Sequence, residues 1–199
     1  MKIGGEFLAK DWPGLRKRLD AGDDSAWNEA VAVLRARVGG RYLKQARQIM
    51  NRPYSGFAVL AIDSAVIETL EQFRRGVRET PRKKSGEFFR VFLTTTRLKK
   101  FFTVATADLF YTTIRCGILH QGETKSDSLV TKKQPSFVVR ASRTGKGIVV
   151  NARRFHEELE TAFEDYASAI LGGDQNLRAA FIKKMGHIAK SKPDVAGVV

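Results

Sequence analysis

The residue types that usually carry acid–base and metal chemistry are scarce in this chain. Its 199 residues include three histidines, His120, His156 and His187, and one cysteine, Cys116. None of these stands at the spacing of a zinc site, so no metal and no cofactor are expected. There is no Walker-type GxxxxGK[ST] loop and no GxSxG elbow. The TGKG at residues 144–147 reads as a hairpin tip. What remains is Arg115 and His120 in the segment YTTIRCGILHQGE, residues 111–123. A histidine near neutral pKa can take a proton from a hydroxyl or give one to a leaving oxygen. A guanidinium stays charged, and its planar fork suits a pentacoordinate phosphorane. RNA brings its own nucleophile, the 2′-hydroxyl. Such a pair would cleave it without metal, leaving a 2′,3′-cyclic phosphate and a 5′-hydroxyl.

The spacing itself sets a constraint. At about 100° per residue, Arg115 and His120 stand roughly 140° apart on an ideal helix. One regular helix does not aim both at one phosphate. Either Gly117 or Gly122 marks a distortion, or two chains combine their pairs. Asp108, Tyr111 and Thr112 share a polar stripe with Arg115 on an otherwise apolar helix, and the stripe is expected to line the cleft at a dimer interface. Asp108, Tyr111 and Cys116 are thus candidates to support or orient the pair. A plainer reading has Arg115 ion-paired to Asp108 and His120 capping carbonyls at the helix end. His156 reads as a surface or packing residue, and His187 as a cation at a helix C-terminus.

The elements that must position these groups are mostly helices. Asp11 and Pro13 start a short one in DWPGLRKRLDAG. Residues 24–50 follow with helical apolar spacing, interrupted at Gly39-Gly40. Residues 55–73 are apolar on nearly all sides, which makes them central. Ser85 is expected to cap the next helix, and residues 103–120 form the motif helix, stopped at Gly122. The character changes at 128–150. Residues 137–141 alternate, SRTGKG turns, and Ile148-Val149-Val150 returns as a strand, with Ser128-Leu129-Val130 as a possible third strand. Asn151 and Asp174 cap the last two helices. The expected fold is therefore mainly α, a helical bundle with a small β-hairpin inserted before its last two helices. The expected organisation is an N-terminal helical segment (1–40), a helical domain (41–190) and a flexible tail (191–199).

Charge narrows the function. Lys+Arg 35 against Asp+Glu 21 gives +14 at pH 7, and an excess of this kind points to a polyanionic partner. Two segments are candidate RNA contacts: Arg74, Arg75, Arg78, Arg82, Lys83 and Lys84, and then Arg97, Lys99 and Lys100. Lys132 and Lys133 would add charge beside the hairpin. Glu157, Glu158, Glu160, Glu164 and Asp165 make the outer face of the following helix acidic, as a partner site or a counterweight. No apolar run reaches the roughly 20 residues of a membrane span. With one cysteine and no apolar leader, a cytoplasmic protein is expected.

The Arg-x4-His pattern of Arg115 and His120, at the end of an apolar helix, resembles the signature of the HEPN domain family. Cys116 stands where that family usually carries a polar residue. The likeness extends as pattern over roughly residues 40–190. It implies a metal-independent endoribonuclease with Arg115 and His120 catalytic, built as a homodimer with a composite site. It also implies a role as a toxin or in antiviral defence, with an antitoxin or defence-system partner. The alternative is a HEPN-like dimer that binds nucleic acid or protein without catalysis.

Overall fold

A computed structural model describes residues 1–133 and 136–191; residues 192–199 of the expected tail lie outside it. The chain is mainly helical with small sheets. Its residues group into two compact units.

The first unit holds residues 1–41, 72–79 and 164–191. It opens on a two-stranded antiparallel ribbon that the sequence did not announce, β1 (Lys2–Gly4) with β2 (Phe7–Leu8). A side chain on Gly4 would meet the Val33 carbonyl at 2.4 Å, so glycine lets the ribbon lie directly on the next helix but one. Helix α1 (Trp12–Asp20) starts with Pro13 in its first turn, as expected. The Asp11 carboxylate, however, does not cap it; it accepts the Leu8 N–H at 3.0 Å. Helix α2 (Asp24–Leu34) is capped by Asp23, whose carboxylate takes the Ser25 and Ala26 amides. At Gly39-Gly40 the helix does not break. It widens into a π-helical stretch, Arg35–Leu43, and the chain then continues as α3 (Lys44–Ile49), which belongs to the second unit. Trp12, Trp27 and Phe73 surround Phe181 with ring centroids 5.8 to 6.5 Å apart, forming this unit's core.

The second unit holds residues 42–71 and 80–163. Helix α4 (Gly56–Arg75) supplies Val59, Leu60, Val66, Ile67 and Leu70 to the interior, all 0 % exposed. Helix α5 (Ser85–Thr95) packs Phe88, Phe89, Phe92 and Leu93. Ser85 is its first residue rather than its cap; the Ser85 hydroxyl donates to Glu68 Oε1 at 2.9 Å. The motif helix begins as α6 (Val104–Leu109), capped reciprocally by Thr103 and Thr106. It passes through a π-helical stretch, Phe110–Arg115, and ends as α7 (Cys116–Gln121), with Gly122 left-handed at φ 68. Phe110 anchors it, stacked 4.9 Å from Phe155 and near Phe89 and Phe102.

Three short strands precede the last two helices: β3 (Leu129–Thr131), β4 (Val139–Ala141) and β5 (Ile148–Asn151). Their order is β3-β5-β4, with β5 antiparallel to β4 and parallel to β3. Asp127 closes the TGKG tip by accepting from the Ser142 and Thr144 hydroxyls. Helix α8 (Ala152–Leu171) follows, its Arg154 amide capped by Asn151 Oδ1, and α9 (Gln175–Lys190) is capped by Asp174.

Candidate functional site

The motif helix is shaped by its threonines. Thr112 donates its hydroxyl to the Asp108 carbonyl at 2.8 Å and Thr113 to the Leu109 carbonyl at 2.7 Å. Such back-bonding competes with the regular ladder and bends helices. The Cys116 amide reaches the Tyr111 carbonyl, five residues back. This wider turn lies before Arg115 and at neither glycine, so it does not alter the interval between Arg115 and His120. Gly117 has another task. A Cβ there would stand 2.4 Å from the Glu123 carbonyl, because the following loop folds back on α7. That return is fixed by the Lys125 amide on the Thr113 carbonyl at 2.9 Å and by the Thr113 and Ser128 hydroxyls at 2.7 Å.

Arg115 sits against α4 and α5. Its Nη2 is 3.4 Å from Glu68 Oε2, with both side chains less than one-fifth exposed. Its guanidinium lies 5.9 Å from the Phe89 ring centroid and 5.5 Å from that of Tyr111, within cation–π range. Nε is buried and makes no hydrogen bond among the described residues. The partner of Arg115 is therefore Glu68, which the sequence reading did not single out. Asp108 is paired instead with Arg90, at 2.7 Å. Burial pushes the Tyr111 phenol above its ordinary pKa, with Cys116 beside it acting in the same direction.

His120 is exposed on the last turn of α7. Helix α7 is α-helical from Cys116 onward, for which a five-residue interval corresponds to roughly 140°. The structure brings Arg115, Tyr111 and Cys116 together, while His120 stands exposed at the helix end.

Three residues of the stripe line a cleft within one chain, and Arg115 is not among its lining residues. Asp108, Tyr111 and Thr112 meet Lys83, Lys84, Arg90 and Glu87 around a volume of about 530 Å³, with Lys84 paired to Glu87 at 3.0 Å. Gly86, at the start of α5, is packed against the Tyr111 ring; a Cβ there would sit 3.2 Å from it. The cleft thus has cations, an aromatic wall and the N-terminal turn of an eleven-residue helix.

The other predicted contacts fare differently. Arg82, Lys99 and Lys100 are exposed. Arg74, Arg75 and Arg78 belong to the first unit, while Arg82, Lys83 and Lys84 belong to the second. Arg97 is drawn off by Glu158 at 2.9 Å. The Lys132 ammonium is spent on the Met50 and Arg52 carbonyls and the Ser55 hydroxyl, so it is a loop tie rather than a charge beside the hairpin. The acidic face of α8 is largely neutralised within the chain. Glu157 pairs with Arg154, Glu158 with Arg97, Glu160 with Arg47 and Glu164 with Arg35.

His156 takes the packing role and not the surface one. It is 2 % exposed, and its Nδ1 lies 2.8 Å from Oδ1 of Asp63, which is 0 % exposed and which the sequence reading did not single out. His187 is exposed on the last turn of α9, as a helix-end cation would be. Among the described residues no cluster of three or more His, Cys, Asp or Glu has a metal-binding arrangement, and no helix is long and apolar enough to cross a membrane. Neither a known protein family, nor a curated protein, nor a solved structure matches the chain.

Proposed function

We propose that the protein binds RNA in the Lys83–Lys84–Arg90–Tyr111 cleft and cleaves it, as a homodimer of HEPN type acting in defence or as a toxin. The observation that carries this reading is the cleft itself. It joins three cations to an aromatic ring that can stack a base and to the first turn of α5, where amide groups favour a phosphate. It is lined by the same helix that carries Arg115. Catalysis then needs a second copy. With Arg115 and His120 on different faces of one helix, a site holding both takes one from each chain. Leu119, 47 % exposed beside His120, offers that face an apolar contact. His120 would move the proton between the 2′-hydroxyl and the leaving 5′-oxygen, and Arg115 would stabilise the phosphorane.

A second reading, binding without cleavage, is favoured by one specific observation. Arg115 is already engaged by Glu68 and two rings. An RNA cleavage assay in EDTA with the parent protein and His120→Ala separates the two. Cleavage by the parent alone supports the nuclease. Equal cleavage by both, or none by either, overturns it, and salt-dependent RNA binding without cleavage leaves the binding module.

A further inference from the structure

Between α3 and α4 the chain turns through Asn51, Arg52, Pro53 and Tyr54, and the turn holds an aromatic ring out in solvent. Tyr54 is 97 % exposed. Its backbone is left-handed, at φ 58. That conformation is costly for any residue with a Cβ, and in a bulky one it is an outlier. Packing does not offset the cost, because the side chain is almost wholly in water.

The strain is imposed by ties on either side of the ring. The Lys132 ammonium, just past β3, donates to the Met50 and Arg52 carbonyls and to the Ser55 hydroxyl. The Ser55 hydroxyl shares the same two carbonyls, at 3.2 and 2.9 Å. Pro53 fixes its own φ. Gly56 lies so close to β3 that a Cβ there would stand 2.9 Å from Val130 Cγ1. The turn is therefore set before any ligand arrives, and Tyr54 is presented by it.

The surroundings are basic. Arg52, two residues before the ring, and Lys133, next to the Lys132 tie, are exposed. No Asp or Glu occurs between Arg41 and Asp63, or between Asp127 and Glu157. The carboxylates that share a cleft with Asn51 are Glu157 and Glu160, and these are held by Arg154 and Arg47. Among the described residues from 43 to 103, no other large apolar side chain is exposed, so no apolar patch surrounds the ring in its own stretch of chain.

We infer that Tyr54 is a stacking platform for one unpaired base of a single-stranded nucleic acid, with Arg52 and Lys133 attracting its phosphates. A phenol ring gives a large flat face and loses few rotamers when it is covered. Both faces of a base inside a duplex are already stacked, so only an unpaired base can use the ring. A basic surround poor in carboxylates suits a polyanion. The site shares no residue with the Lys83–Lys84–Arg90–Tyr111 cleft. It needs the strand to be bound and not cleaved, so it stands with either reading above.

The test is the anisotropy of a labelled 2′-O-methyl RNA strand of about 16 nucleotides, the upper end of a single-strand site, compared with its own duplex. The methyl group removes the nucleophile, so binding is read without cleavage. Tyr54→Ala and Tyr54→Gly should each weaken the single strand by about fivefold to 150-fold, the value of one stacked base, and leave the duplex unchanged. Tyr54→Phe keeps the ring and should stay within about twofold of the parent. Glycine adopts φ 58 without strain, so Tyr54→Gly should melt no lower than the parent. A lower Tm makes the ring structural and overturns the proposal. Equal losses for strand and duplex, or a Tyr54→Phe as weak as Tyr54→Ala, also overturn it. So does a Tyr54→Ala that binds the strand as the parent does, which leaves the ring to a protein partner. The change of Lys83 and Lys84 to Gln tests the cleft separately: its failure leaves the Tyr54 effect standing, and the reverse holds too.

Discussion

Replacing Asp63 by alanine removes the acceptor that holds His156 Nδ1 at 2.8 Å inside the second unit. Asp63 is 0 % exposed and His156 is 2 % exposed, so the loss falls inside the core. Removing one partner of a buried pair costs about 3–5 kcal/mol, a large share of an ordinary domain's stability. For a chain of this length that corresponds to a fall in Tm of roughly 6–20 °C. The pH dependence gives a sharper signature. Burial raises Asp63 to about 6 against the pull of His156. The Asp63 and Glu160 bonds raise His156 to about 9 against burial. Both folded-state values stand above the unfolded ones, so each group contributes stability that is complete below its unfolded pKa and is lost as pH rises through the folded value. For His156 that window runs from 6.5 to about 9 and is worth about 3 kcal/mol. Urea denaturation followed by circular dichroism at several pH values between 6 and 9.5 reads both effects. The gap between the parent and Asp63→Ala should be widest near pH 6.5 and narrow towards 9.5. Asp63→Asn, which keeps an acceptor of the same size without the charge, should recover part of the stability but not the slope. A cost below about 1 kcal/mol at pH 6.5, or a gap that does not change with pH, refutes the reasoning.

Other outcomes follow from the same structure. Gly117→Ala places a methyl 2.4 Å from the Glu123 carbonyl; it should cost about 1–3 kcal/mol in a thermal melt, whereas Gly14→Ala, with open space around it, should not. Lys132→Met leaves the Met50 and Arg52 carbonyls without their ammonium donor; a loss of about 1–3 kcal/mol and faster hydrogen exchange in the 50–55 loop are expected. The double change Lys83→Gln with Lys84→Gln should weaken RNA binding and flatten its log–log salt dependence by about 1.4, the share of two phosphate contacts on a single strand. An unaltered slope would remove the cleft from the RNA-binding surface.

Most helices were legible because their apolar positions recur with helical spacing and their ends carry Pro13, Asn151, Asp174 and the left-handed Gly122. The strands β1 and β2 were not, since three and two residues are too few to show alternation. The π-turns were not either. At 110–115 the cause is hydroxyl competition from Thr112 and Thr113, which apolar periodicity does not register. Composition gave the basic excess but not its spending. That Arg47 and Arg97 serve Glu160 and Glu158 depends on residues 113 and 61 positions away. The same limit hid His156. Helix α4 reads as apolar almost all round, yet it carries Asp63 at 0 % exposure, and the partner that makes this tolerable lies 93 positions later. For Arg115, the spacing pointed to Asp108 as an ion-pair partner, whereas the carboxylate beside it is Glu68, 47 positions earlier in the chain.

The wide turn at 110–115 behaves as a dislocation does in a crystal. It holds one residue more than a regular turn, so the residues that follow are carried round by about one residue's rotation, roughly 100°, relative to an unbroken helix. The stretch from Cys116 to Gln121 therefore runs out of phase with Val104–Leu109, and the two ends of the motif helix present faces that the apolar spacing of either end alone does not give.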